Sequence, residues 1–144
     1  MQTVCWENQL LFDALKEEGL DNQTISERIA DTLDLGQVLR KASSDFDGGY
    51  VMCGLLGHGD AFVMRDPNGI RPAYWYEDDE VVVAASERPV IQTAFNVSAD
   101  SIQEVLPGSA LIVRRNGKAH VEEIRAAAER KACSFERIYF SRGN

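Results

Sequence analysis

What is scarce in this chain narrows its function before anything present is weighed. No apolar run approaches the ~18 residues needed for a bilayer-crossing helix, and Met1-Gln2-Thr3-Val4 lacks the basic and apolar regions of a secretion signal. A cytoplasmic location without a membrane partner is expected. Cysteine is rare: Cys5, Cys53 and Cys133 are odd in number, far apart and free of any CxxC pair, which supports neither a disulfide framework nor a self-contained zinc site. Reduced thiols are the simplest reading. The two histidines, His58 and His120, do not sit beside a Ser, Cys or carboxylate in a nucleophile arrangement. Positive charge is short as well. Fifteen Lys and Arg against 23 Asp and Glu give a formal net charge of -8 with no basic cluster, which argues against a nucleic-acid partner or an anionic membrane surface.

What is present is the balance of a globular domain: 144 residues, 44% hydrophobic and 26% charged, long enough to bury roughly two thirds of the unfolded surface in a core. Turn glycines and β-branched runs are sparse before Asp45 and frequent after Asp47, so a helical variable segment over 1–45 precedes a strand-rich part over 46–144. Leu10, Leu11, Ala14 and Leu15 make one stripe of a helix spanning 7–18, which Gly19 closes. Asn22 or Thr24 can cap a second helix carrying Ile25, Ile29 and Leu33, and Leu35, Val38 and Leu39 predict a third that ends near Ser43.

The strand-rich part predicts a hairpin of 50–56 with 61–65 around Gly57-His58-Gly59-Asp60, then an Asp66-Pro67-Asn68-Gly69 turn. Strands over 73–76 and 81–85 follow, making a meander of about four strands. A short helix over 87–95 has Pro89 near its first turn, and strands over 109–114 and 119–124 flank Asn116-Gly117, a two-residue hairpin signal. The stretch 126–131 reads as an exposed connection, and 137–140 as a last strand. An aromatic strand so near Asn144, and a helix starting almost at Met1, lead to the expectation of a piece of a longer polypeptide.

Few residues could carry chemistry. His58 reads as a solvated turn residue and His120 as a surface-facing strand residue. Asp66, Asn68, Arg71 and Glu87 form the densest polar set. An Asp beside a glycine turn with an Arg downstream could hold an anion, but the stronger reading is structural, with Asp66 accepting turn amides and Arg71 pairing with Glu87 between neighbouring strands. The acidic 77–80 run reads as a solvated hairpin tip, not a metal site.

From Asp47 onward the motifs Gly48-Gly49-Tyr50, Gly57-His58-Gly59, Arg65-Asp66-Pro67-Asn68-Gly69-Ile70-Arg71-Pro72, Ala84-Ala85-Ser86-Glu87, Leu106-Pro107-Gly108 and the Cys133-to-Phe140 ending occur in order. Together they resemble the later half of the glutaminase domain of the amidophosphoribosyltransferases, with the ending similar to the passage into the phosphoribosyltransferase domain. The resemblance implies an α+β fold, part of an N-terminal-nucleophile hydrolase sandwich of antiparallel sheets with flanking helices. It implies a parent enzyme that releases ammonia from glutamine and passes it to phosphoribosyl pyrophosphate, with Mg2+ accompanying that substrate. The residues carried over, Asp66, Gly69, Arg71, Pro72, Ser86 and Glu87, are structural motif positions. No catalytic, substrate-binding or metal-binding residue of the family is matched, since its N-terminal cysteine, following arginine and Asn-Gly pair lie outside the motifs present.

Met52-Cys53-Gly54-Leu55-Leu56-Gly57 imitates the start of a class II amidotransferase, but an internal Cys53 has an amide nitrogen where the family's nucleophile has the free amine that serves as base. Cys53 is expected to be a buried strand cysteine. Cys133 matches the position of one iron–sulphur ligand in those relatives that carry a cluster; one thiol does not hold a cluster that takes several, so no cofactor is expected for this chain alone. The partners expected are the rest of the parent chain and a second copy of this one, covering apolar surface left by absent strands. Two other readings stay open: a stand-alone, non-catalytic association module, and a hydrolase self-processed before Cys53.

Overall fold

The computed structural model describes residue 10 and residues 12–139. The chain divides into two compact units, Met1–Asp45 and Phe46–Asn144.

In the first unit, residues 12–17 are helical, while the start of the expected 7–18 helix lies outside the described residues. Gly19 closes this helix with φ +81° and an amide donated to the Lys16 carbonyl at 3.0 Å. The next helix, α1 (Asn22–Thr32), is capped by neither Asn22 nor Thr24: the Asp21 carboxylate accepts from the Thr24 amide at 2.8 Å. Asp34 does the same for α2 (Leu35–Ala42), accepting from the Gln37 amide at 2.9 Å, and Arg40 and Lys41 complement the dipole in its last turn. The helix ends at Ser43, as the apolar spacing predicts.

The second unit begins with the expected hairpin of β1 (Val51–Leu55) and β2 (Ala61–Arg65), antiparallel with Val51 opposite Arg65. A second hairpin, β3 (Tyr74–Glu77) and β4 (Val82–Ala85), turns at Asp78, whose carboxylate accepts the Glu80 and Val81 amides at 2.9 Å each. The acidic run is thus a hairpin tip. Helix α3 (Arg88–Phe95) carries Pro89 in its first turn and is closed by Asn96 in the left-handed region. A 3-10 turn (Ala99–Ser101), β5 (Gln103–Glu104), β6 (Ser109–Val113), β7 (Ala119–Glu123) and α4 (Ser134–Tyr139) follow.

The expected meander is instead split between two sheets, ordered β1-β2-β6-β7 and β4-β3-β5, because β2 pairs with β6 and β3 with β5. Both sheets are antiparallel. Apolar residues of both sheets meet in a core of Ala73, Trp75, Val105 and Leu111, with Val51, Val63, Val82 and Val113 packed against it. This is the mixed α+β sandwich of antiparallel sheets that the sequence motifs imply.

Two further expectations are corrected. The β6–β7 connection is not a two-residue turn: Asn116 has negative φ, which the primed two-residue turn forbids. Arg114 and Lys118 remain paired at 2.9 Å, and Gly117 at φ +83° closes a three-residue loop. The last expected strand, 137–140, is helical from Ser134 to Tyr139. Ile138 and Tyr139 read as a strand on propensity alone, a preference of at most about 1 kcal/mol per residue that context readily overrides.

Candidate functional site

The Asp66-to-Pro72 run is a loop built around one buried carboxylate. Asp66 is fully buried; its Oδ1 accepts from the Asn68 amide at 3.1 Å and the Ile70 amide at 3.0 Å, and its Oδ2 from the Arg71 amide at 3.2 Å. Its carbonyl accepts from the Gly69 amide at 3.1 Å, closing the turn that Pro67 and Gly69 predict. Gly69 needs to be glycine twice over, with φ +59° and a Cβ position only 2.9 Å from Pro107 Cγ.

Arg65, which opens the motif run but was given no role there, holds the same loop from the other side. Only 2% exposed, it donates from Nε to the Arg71 carbonyl at 2.6 Å, from Nη2 to the Gly69 carbonyl at 3.2 Å, and from Nη1 to Glu104 Oε1 at 2.6 Å and the Val105 carbonyl at 2.7 Å. Four acceptors for one guanidinium make the burial affordable. The available signal was an arginine at the end of an otherwise apolar strand, at the head of the motif run.

Beside this loop lies a cavity of about 370 Å³ whose lining includes Cys53, Arg71, Pro72, Ser86 and Glu87. A more apolar cavity of about 430 Å³ runs alongside, lined by Phe62, Leu111 and Val113 among others, and the two share Cys53, Val63 and Ala84. The structure thus gathers Arg71, Pro72, Ser86 and Glu87 at one cleft, with Asp66 and Gly69 in the loop that supports it. Cys53 lies in β1 as expected but is exposed, not buried. The reason is what stands on its face of the sheet: Cys53 lines both cavities, so its side chain borders open cleft where a packed neighbour would have buried it.

His58 is corrected too. Its side chain is only 17% exposed, with Nε2 3.2 Å from Asp60 Oδ2. Asp60, fully buried, also receives Arg114 Nη1 at 2.8 Å and accepts the Arg115 amide at 2.8 Å. Burial raises the Asp60 carboxyl, but the Arg115 amide, the His58 hydrogen bond and the Arg114 charge outweigh it and hold the group below its ordinary value. His120 is half exposed, as a surface-facing strand residue should be.

Cys133 is half-buried and donates its backbone amide to the Ile70 carbonyl at 3.2 Å. Among the described residues, no group of three or more His, Cys, Asp or Glu is placed to hold a metal ion. The described donors therefore do not fit an iron–sulphur cluster, which several thiolates must ligate.

No protein-family model matches the chain. Among curated proteins it is 32% identical to an amidophosphoribosyltransferase of Methanothermobacter thermautotrophicus over 105 residues, covering 72% of this chain and 21% of that one. It is 30% identical to the amidophosphoribosyltransferase of Archaeoglobus fulgidus over 122 residues, covering 84% and 25%. Among solved structures, the glutamine phosphoribosylpyrophosphate amidotransferase of B. subtilis, complexed with ADP and GMP, superposes with a TM-score of 0.60 at 26% identity, over 93% of this chain and 30% of that one. The chain spans about a fifth to a quarter of the length of these curated relatives. By sequence and fold together, the chain matches one stretch of the amidophosphoribosyltransferases and shares their N-terminal-nucleophile type of α+β sandwich.

Proposed function

We propose that this chain is the sheet-and-loop scaffold of a glutaminase module, in an enzyme that frees ammonia from glutamine and transfers it to phosphoribosyl pyrophosphate. The observation that carries the reading is the Asp66-centred loop at the mouth of a two-sheet sandwich, in a chain whose relatives bear the name of that enzyme. The chemistry asks for a thiol activated by its own α-amine. Cys53 supplies the thiol without the amine. What this chain's residues do is mechanical: Asp66 and Arg65 fix the backbone from 66 to 72, and that backbone presents Arg71 to the cleft opposite Ser86 and Glu87.

The test is incubation with glutamine and, separately, with an alkylating glutamine analogue, followed by peptide mapping. Cys53 is expected to stay unmodified and no ammonia to be released. A stoichiometric adduct on Cys53 would overturn the scaffold reading, since the chain would then own a nucleophile. We also read the chain as self-associating, because β1 is an edge strand carrying Leu55 at 79% exposure and Met52 at 39%.

A further inference from the structure

We propose that residues 126–133 are a strap that sets the position of the cleft rim, so that movement of the chain beyond Cys133 is transmitted to Arg71. The stretch has no regular secondary structure and is largely exposed, yet it is tied to the 66–72 loop along its length. The Ala128 amide donates to the Pro67 carbonyl at 2.9 Å, the Lys131 amide to the Asn68 carbonyl at 2.8 Å, and the Cys133 amide to the Ile70 carbonyl at 3.2 Å. Asn68 Nδ2 returns a bond to the Glu129 carbonyl at 2.8 Å. The loop is therefore gripped from both sides: its amides at 68, 70 and 71 go inward to Asp66, and its carbonyls at 67, 68 and 70 take the strap.

Two short routes lead from strap to rim. Along the backbone, the Ile70 carbonyl held by Cys133 belongs to the peptide unit that carries the Arg71 amide. Through side chains, Arg130 Nη2 reaches Glu104 Oε1 at 2.9 Å; the same oxygen takes Arg65 Nη1 at 2.6 Å, and Arg65 holds the Arg71 carbonyl. Ile70 also fills the space over Gly49, where a Cβ would fall 2.6 Å from Ile70 Cγ2, which connects the loop to the segment leading into β1 and Cys53. Helix α4 starts one residue after the last strap bond. Its displacement pulls on Ile70 directly.

The experiment compares the whole chain with its Asn68→Ala/Arg130→Ala double variant by peptide-resolved amide exchange and by the rate at which iodoacetamide, a small general thiol reagent, labels the exposed Cys53. Both side chains leave the Asp66 and Arg65 contacts intact, so the fold is kept. Exchange over 126–133 is expected to quicken about tenfold, with a several-fold change over 70–73 and in Cys53 labelling, while β6 and β7 keep their rates. A faster strap with an unchanged rim and unchanged Cys53 labelling overturns the proposal; so does a strap that does not quicken. Ala128→Pro, which removes the donor to Pro67 at an exposed position, must give the same pattern. Because the readouts are exchange and labelling, the outcome is independent of whether the chain serves a glutaminase.

Discussion

Asp60 and Asp66 are both fully buried carboxylates, and their partners give them different sensitivities. Asp66 accepts from three backbone amides. In Asp66→Asn one oxygen becomes an amide nitrogen, so at least one of those amides faces a donor, at a cost of about 1–3 kcal/mol. A lower urea midpoint with an unchanged slope is the expected result, and an unchanged midpoint would mean that the loop is held from the strap side alone. Asp60 instead faces charged and titratable side chains, His58 and Arg114. Its folded carboxyl titrates below the ordinary 3.8, so the unfolded chain takes up the proton first as pH drops. The stability it contributes is present above pH 3.8 and drains away as pH falls through the folded value. Thermal midpoints of the natural chain and Asp60→Asn should therefore differ near neutrality and converge in acid; parallel curves would refute the assignment. The Asp66 surroundings were legible locally, since its amide partners lie within five residues of it, but those of Asp60 were not: His58 looked solvated because Arg114, which completes the cluster, lies on the far side of β6 in sequence.

Among the elements, glycines in the left-handed region close strand connections, and two of these positions separate backbone strain from crowding. Gly117 has φ +83° with open space where a Cβ would stand; Gly108 has φ +75° and the Arg125 carbonyl oxygen occupying that point. Gly117→Ala should cost only the left-handed penalty of about 1–2 kcal/mol. Gly108→Ala must also displace the backbone where the Ile124 and Arg125 amides both donate to the Gly108 carbonyl, and should cost more than twice as much. Equal losses of thermal midpoint would show that the backbone at Arg125 yields freely. These same turns explain what the sequence reveals. Hairpins β1–β2 and β3–β4 are local, and Gly57-to-Gly59 and Glu77-to-Asp79 announce them. The pairings β2–β6 and β3–β5 join residues far apart in the chain, so no turn residue signals them, and two hairpins in succession read as one meander. The 66–72 loop was legible as a motif, whereas Arg65, Glu104 and the strap that complete it become visible only when the fold brings them together.

At the scale of the whole molecule, charge and apolar exposure oppose each other. A net charge of -8 keeps copies apart, while β1, an edge strand among the described residues, presents its open side beside the exposed Leu55 and Met52, which invites a second strand. Association by that edge must then work against like-charge repulsion acting over about 10 Å at 0.1 M salt and only about 3 Å at 1 M. Raising ionic strength should therefore shift the chain toward dimers or larger species in sedimentation velocity, and Leu55→Lys, which places a cation on the edge, should abolish the shift. Salt that dissolves the assembly would point to ion pairs as the contact. A monomer at every ionic strength would remove the edge-pairing reading, leaving the fold and the loop argument untouched because both rest on contacts within one chain.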